Sequence, residues 1–179
     1  MEAEGVHMHI RKAKAQDILG VAAVYDAVLD AEERETNVGW IRGVYPTQAT
    51  AEASLARGDL FVLEENGRIL GAAILNQTQV DVYAQGAWQF AAAPEEVCVL
   101  HTLAIRPDAE RCGLGSAFVA FYEDYARRLG CRVLRMDTNA INRRARALYH
   151  KLGYREAGIV PTTFNGIPGV DLVLLEIAL

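Results

Sequence analysis

Cysteine is scarce in this chain: three residues among 179, at positions 98, 112 and 131. None of them forms a CxxC pair or lies near histidines at the spacing of metal ligands. The count is also odd, which favours reduced thiols over a disulfide framework. We therefore expect no metal site and a cytoplasmic location.

Long apolar runs and a basic excess are missing as well. No apolar run approaches the ~20 residues that a membrane span requires, so we expect no membrane association. Residues 1–9 lack the basic-then-apolar layout of a signal peptide. The net charge of −5 argues against nucleic acid as a partner. Without repeats or a linker, the length favours a single domain over residues 1–179, and a homodimer remains open.

The charge is unevenly distributed along the chain. Residues 106–155 contain eleven Lys or Arg and five Asp or Glu, a local charge of +6, whereas the remaining residues carry −11. A basic C-terminal half suits a polyanionic cofactor, and an acidic remainder suits a cationic second substrate. The alternative is that solvated helix surfaces simply differ in sign.

Apolar periodicity predicts the element order β α α β β β α β α β β, a mixed α/β domain whose helices cover a mostly antiparallel sheet. Asp17 is expected to cap the first helix. Asn66-Gly67 between two apolar runs predicts a β-hairpin. Residues 77–96 show no clear period.

The main chemical feature is the segment Gly113-Leu114-Gly115-Ser116, which follows a strand and opens a helix. Glycines allow close backbone approach to an anion, and the first N–H groups of a helix lack intrahelical partners. A dinucleotide fingerprint would need glycine where Phe118 stands, and a P-loop would need lysine at Ser116. The simpler alternative is that the two glycines only allow a tight turn and bind no anion.

Three segments together resemble the GNAT superfamily of N-acetyltransferases. They are Leu103-Ala104-Ile105-Arg106-Pro107, the glycine loop, and the run from Asn142 to Tyr154, which contains Asn-x-x-Ala-x-x-Leu-Tyr-x-x-Leu-Gly-Tyr. The resemblance is ordered and correctly spaced over about residues 97–156. It implies a sheet of about six to seven strands flanked by about four helices, and acetyl-CoA or CoA as cofactor.

The resemblance also implies which residues hold the cofactor. Backbone N–H groups of the glycine loop should wrap the pyrophosphate, the strand before it should pair with the pantetheine arm, and Tyr149 occupies the position of a general acid. The family pattern begins with Gln or Arg where this chain has Glu110. The implied cofactor-binding residues are Leu103, Ala104, Ile105, Arg111, Cys112, Gly113, Leu114, Gly115, Ser116, Asn142 and Tyr149.

Acyl transfer to an amine sets three chemical requirements. The carbonyl oxygen needs an N–H donor, expected from a strand bulge near Leu103. The leaving thiolate needs a proton, for which the Tyr149 phenol is the candidate, with a core aromatic as the alternative. The amine must lose a proton, and His101 and then Glu96 are the candidate bases, although a buried-strand histidine is more often structural. Cys98 and Cys112 have no base at readable spacing, which favours direct transfer.

The amine acceptor of this family approaches from the first helices and the region before the cofactor strand. Acidic residues stand there next to aromatic ones, a combination suited to a cation through charge pairing and cation–π contact. The candidate acceptor residues are Glu33, Glu35, Trp40, Tyr45 and Trp88. A solvated acidic helix end beside core aromatics is the alternative.

Two functions of different class follow. The first is transfer of acetyl from acetyl-CoA to a primary amine of a small molecule or peptide. The second is a non-catalytic acyl-CoA sensor or partner-binding module. The sequence names neither the acceptor nor the acyl chain length.

Overall fold

A computed structural model describes residues 8–109 and 113–179. Glu110 and the predicted cofactor ligands Arg111 and Cys112 lie outside the described residues. The strands are β1 (Met8–Lys12), β2 (Leu60–Glu65), β3 (Arg68–Asn76), β4 (Val97–Ile105), β5 (Val133–Asn139), β6 (Arg155–Phe164) and β7 (Ile167–Ala178). The helices are α1 (Ile18–Glu32), α2 (Gln48–Arg57), α3 (Leu114–Arg128) and α4 (Arg143–Lys151), with short 3-10 turns at Ala15–Asp17, Asp81–Gln85 and Pro94–Glu96.

In the described part of the chain the strands form one seven-stranded sheet in the order β1-β2-β3-β4-β5-β7-β6. Neighbouring strands are antiparallel except β4 and β5, which are parallel. The predicted α/β fold, its element order and its mostly antiparallel sheet are confirmed. The parallel pair lies in the middle of the sheet, where α3 supplies the crossover between its strands.

Turn chemistry explains several element boundaries. Asn66 and Gly67 both adopt positive φ, 50° and 79°, as a two-residue hairpin requires, so the predicted β2–β3 hairpin is confirmed. Thr47 precedes α2, and Gly58 ends it in the left-handed region. Asp17 stands at the N-cap of α1, as predicted, but its side chain does not cap the helix, because the carboxylate accepts from the Lys14 N–H and from Arg11 instead.

The core lies on both faces of the sheet. One face packs under α3 and α4 around the buried rings of Phe118, Tyr122 and Tyr149. The other face packs under α1 and α2, around Val21, Val24 and Tyr25. A third apolar cluster covers the β5–β7 end, where the segment that had no readable period contributes Tyr83 and Trp88. No helix in residues 8–109 and 113–179 has the length and apolar character of a membrane span.

Candidate active site

The two parallel strands separate part-way along their length. Their residue pairing runs from Val97 opposite Val133 to Leu100 opposite Met136 and stops there. Beyond that point β4 continues to Ile105 and β5 to Asn139 without pairing with each other. A cleft of about 1120 Å³ lies beside the separated end of β4, where Leu103, Ala104 and Ile105 line it, and reaches residues 140–142, which follow β5.

β4 carries a bulge at the mouth of this cleft. Its register with β3 shifts, because Ala72 lies opposite Ala104 whereas Ile74 lies opposite His101. Thr102, within the bulge, has φ 51°. A bulge leaves backbone groups of the strand outside the regular ladder and re-aims the neighbouring side chains. The bulge expected near Leu103 is therefore present.

The other end of the cleft is shaped for an anion. Gly113 precedes α3 with φ 70°, and a Cβ built on it would meet nothing within 4 Å, so a side chain there would enter open space. The Gly115 backbone lines the cleft against Leu148. The unpaired N–H groups of α3's first turn and the helix dipole favour phosphate there. Arg143, Arg144, Arg146 and Ser116 also line the cleft. These groups fit the polyanionic part of CoA.

Tyr149 lies where the cleft meets a smaller cavity. Asn142 caps α4 by accepting the Ala145 N–H at 3.0 Å, which orients the helix that carries Tyr149. The tyrosine is buried, and burial raises the pKa of its phenol well above the usual range. The cavity, about 80 Å³, shares six lining residues with the cleft: Val38, Trp40, Leu103, Asn142, Ala145 and Tyr149.

A carboxylate faces this smaller cavity. Asp137, on the separated end of β5, lines the cavity and accepts a hydrogen bond from the Tyr83 hydroxyl at 2.7 Å. Burial raises the pKa of Asp137 to about 6, and the Tyr83 hydrogen bond partly opposes that rise. Sequence reasoning missed this residue. The available signal was an acidic residue at the end of the strand that follows the glycine-loop helix.

The loop after α1 forms one wall of the cavity, through Val38 and Gly39. The N–H groups of Asn37, Val38 and Gly39 donate to the buried carboxylate of Glu32 at 2.9, 2.8 and 2.7 Å. Gly39 lies so close to the end of β5 that a Cβ would stand 2.2 Å from the Asn139 amide nitrogen. The loop therefore bridges α1 and β5 across the gap between the separated strands.

The family to which these features belong is given by sequence comparison. The sequence model of the acetyltransferase (GNAT) family matches residues 21–154, which include β4, the loop before α3, β5 and α4. The chain belongs to the acetyltransferase (GNAT) family. It is thus an N-acetyltransferase, and acetyl-CoA is the acyl donor of the family.

Relatives agree with this assignment. The uncharacterized N-acetyltransferase YhfO of Bacillus subtilis (strain 168) is 25% identical over 149 residues, 83% of this chain and 91% of the relative. The crystal structure of a GNAT-family acetyltransferase from Streptococcus agalactiae 2603 has a TM-score of 0.79 at 21% identity, covering 96% of this chain and 95% of that one. The structure of yncA from Salmonella typhimurium with its cofactor acetyl-CoA has a TM-score of 0.63 at 23% identity, with coverages of 96% and 93%. At these identities the two structures support the fold.

The two bases predicted for this acetyltransferase lie away from the cleft and the cavity. The His101 ring bonds the Asn76 side-chain oxygen at 2.9 Å, and burial lowers the pKa of His101 to about 4. Glu96 lies at the opposite end of β4 and pairs with Arg132 at 2.8 Å. Neither residue lines the cleft or the cavity. The structure therefore does not bring His101 or Glu96 together with Tyr149.

The five predicted acceptor residues are divided between the site and other parts of the fold. Trp40 lines both cleft and cavity, and Glu35 lines the cleft. Tyr45 shares a hydrogen bond with the Thr102 hydroxyl and packs on the cavity residue Phe164. Glu33 is exposed and pairs with Arg42 at 2.6 Å. Trp88 packs under Arg135 in the third apolar cluster.

The remaining predicted residues have simple placements. Leu114 is buried in the core beneath α3, so its side chain serves packing. Cys98 is a buried free thiol whose pKa burial raises to about 12, which disfavours the thiolate that covalent catalysis would need. Among the described residues there is no group of three His, Cys, Asp or Glu arranged to hold a metal ion.

Proposed function

We propose that this acetyltransferase transfers acetyl from acetyl-CoA directly to a primary amine of a small molecule or peptide. The observation that carries the proposal is the junction of the cleft and the cavity. Tyr149 and Leu103 line both the cleft and the cavity, whereas Asp137 lines the cavity but not the cleft. A proton donor, a bulged strand and a carboxylate thus border one small volume, as acyl transfer to an amine requires.

Donor binding is assigned to the cleft. Acetyl-CoA supplies an activated thioester carbonyl when it is bound. The N–H groups at the start of α3 and the nearby Arg143 offer donors and positive charge for the pyrophosphate. The free edge of β4 beyond Leu100 offers backbone groups for the amide-bearing arm. An amide at the Thr102 bulge is the proposed donor for the carbonyl oxygen, where charge develops.

Two side chains are proposed to move protons. The Tyr149 phenol donates to the leaving thiolate, because burial keeps it protonated and it lies where the cleft meets the cavity. Asp137 accepts the proton of the amine, since a carboxyl with a pKa of about 6 is ionised at neutral pH and remains a usable base. Tyr83 is a positioning residue: its hydroxyl orients the carboxylate.

The first experiment measures donor binding and turnover separately. Calorimetry should show acetyl-CoA binding to wild-type protein, and Gly115→Leu should weaken it at least ~10-fold, because the new side chain would fill the cleft beside Leu148. Ala120→Leu, at an exposed position of the same helix, is the matched control and should bind normally. Free thiol release with a panel of amines then tests catalysis.

The outcomes separate the two candidate functions. Absence of acetyl-CoA binding would refute the assignment of the cleft. Binding without thiol release for any amine would indicate a sensor of acyl-CoA, the non-catalytic alternative.

A further inference from the structure

The smaller cavity limits the size of what can enter it. Its volume is about 80 Å³. A buried water needs roughly 10–15 Å³ of such space, so the cavity holds roughly five to eight water-sized groups. An amine with a body of a few carbon atoms fills that volume, whereas an acceptor with a longer body would have to extend out of the cavity.

The charges around the cavity are of one sign. Asp137 is ionisable at physiological pH, and none of the described residues that line the cavity is Lys, Arg or His. The other polar lining groups are neutral, among them Thr102, Asn139 and Asn142. A ligand carboxylate held inside the cavity would therefore meet a like charge, with no cation to pair with it among the described lining residues, and burying an unpaired charge is costly.

The remaining walls are apolar and aromatic. Trp40, Phe164 and Leu172 line the cavity. Tyr45 packs behind this wall. Its ring contacts Phe164 edge-on with 5.4 Å between ring centroids, and its centroid lies 6.2 Å from that of Trp40. Aromatic faces suit both an apolar body and an ammonium group before deprotonation.

We infer that the acceptor of this acetyltransferase is a compact primary amine with an apolar body and no carboxylate beside the amine, bound in the cavity between Asp137 and the Trp40–Phe164 wall. The inference rests on the proposed function and narrows it. α-Amino acids are disfavoured by their carboxylate. Polyamines are disfavoured because a second ammonium group inside the cavity would find no carboxylate besides Asp137 among the described lining residues.

A matched trio of amines tests the charge argument. Isoamylamine, leucinamide and leucine share the same branched body and differ in the group beside the amine. The value of kcat/KM should be at least ~100-fold higher for isoamylamine and for leucinamide than for leucine, the discrimination that like charges ~5 Å apart give at an effective dielectric of ~20. Leucine turnover within tenfold of leucinamide would overturn the inference.

A cavity variant tests the location. Phe164→Ala should raise the ratio of kcat/KM for 4-phenylbutylamine to that for isoamylamine by at least ~10-fold, because it removes one wall of the cavity. Phe90→Ala is the matched control, since Phe90 packs in the same apolar cluster without lining the cavity. If Phe164→Ala fails to fold, Trp40→Ala replaces it. An unchanged ratio in the folded variant would overturn the inference.

Failure of the inference and failure of the proposed function give different results. Acetyl-CoA that binds by calorimetry while only leucine or long peptides are acetylated overturns the acceptor class alone. Acetyl-CoA that does not bind at all overturns the proposed function, and with it the basis of the inference.

Discussion

Asp137 and Tyr83 form the pair of residues on which proton removal from the amine depends in the proposed mechanism. They are 54 positions apart in the sequence and are joined by one hydrogen bond of 2.7 Å. The bond stabilises the ionised carboxyl, whereas burial destabilises it more strongly, and the pKa of Asp137 settles at about 6. Tyr45 and Tyr149 lie near this carboxyl; Tyr149 is buried and Tyr45 is half-buried.

Two substitutions separate the charge of Asp137 from its hydrogen bond. Asp137→Asn keeps an oxygen for Tyr83 but removes the base, so kcat should fall ~10²-fold or more. Tyr83→Phe keeps the base but removes the bond that lowers the pKa of Asp137. The acid limb of kcat/KM, expected near pH 6 in wild type, should therefore move to higher pH. An acid limb that does not move in Tyr83→Phe would contradict this assignment.

The same group affects stability with a definite sign. Because the folded-state pKa of Asp137 lies above its ordinary value of 3.8, stability is greatest below that value and is lost as pH rises through about 6. At pH 7 the free energy of unfolding of Asp137→Asn should therefore exceed that of wild type by at most about 3 kcal/mol, and the difference should disappear below about pH 4. Thermal unfolding across pH measures this directly.

Tyr149 is tested by removing one oxygen. Tyr149→Phe should lower kcat ~10²-fold while acetyl-CoA affinity stays within a factor of a few, because in the proposed mechanism the phenol acts on the leaving group, and the ring packs in the core. Tyr154→Phe is the control, since its ring lies 6.0 Å away but its hydroxyl bonds Glu123 outside the cavity. Full turnover in Tyr149→Phe would make it a core aromatic only.

At the scale of elements, the loop at residues 37–39 links α1 to the end of β5. One carboxylate, that of Glu32, accepts three consecutive backbone N–H groups of this loop. The loop carries Val38 and Gly39 into the cavity wall and leads to Trp40. The shape of the cavity proposed for the acceptor therefore depends on the side chain of Glu32, which belongs to α1.

Glu32→Gln replaces one accepting oxygen by an amide NH2 that cannot accept. We expect a stability loss of about 1–3 kcal/mol and a several-fold rise in KM for the amine. The KM for acetyl-CoA should change less, because the pyrophosphate end of the cleft lies on α3. Glu33→Gln is the neighbouring control, an exposed ion-pair residue expected to change stability by about 0–1 kcal/mol. If Glu33→Gln raised the amine KM as much as Glu32→Gln does, Glu33 would be part of the acceptor site after all.

Local signals explain which elements were predictable. The Asn66–Gly67 hairpin and the α4 pattern are encoded within a few residues, and both were predicted. The segment at residues 77–96 forms only two short 3-10 turns, too brief to produce a period, and so Tyr83 was not recognised. Its contact with Asp137 is long-range, and no local pattern reports such a contact.

The placement of His101 shows a second limit. Strand alternation with a period of two puts His101 and Leu103 on the same face. The bulge at Thr102 breaks that alternation, so Leu103 lines the cleft while His101 bonds Asn76. The need for an N–H donor to the carbonyl oxygen predicted a bulge near Leu103, but the consequence for the preceding side chain depends on the exact position of the extra residue.

At the scale of the whole molecule, the uneven charge of the sequence has a partial structural counterpart. Arg143, Arg144 and Arg146 line the cleft proposed for the donor, while the described lining of the cavity beside it has a single carboxylate. The acids on the first helix are largely engaged: Arg42 pairs with Asp26, Asp30 and Glu33. The basic C-terminal half thus agrees with a polyanionic donor. The acidic residues Asp26, Asp30 and Glu33 instead bind Arg42, which lies in the loop between α1 and α2.

The short parallel pairing of β4 and β5 divides the sheet into two blocks, β1–β4 and β5–β7, whose backbones are joined over four residue pairs. Cooperative units of this kind can open independently when few bonds connect them. In native-state hydrogen exchange of the ligand-free protein, amides of the two blocks should therefore exchange with two distinct opening free energies. A ligand that fills the gap acts as a removable cross-link, so saturating acetyl-CoA should bring the two values together. Equal protection in both blocks without ligand would show that the core alone makes them one unit.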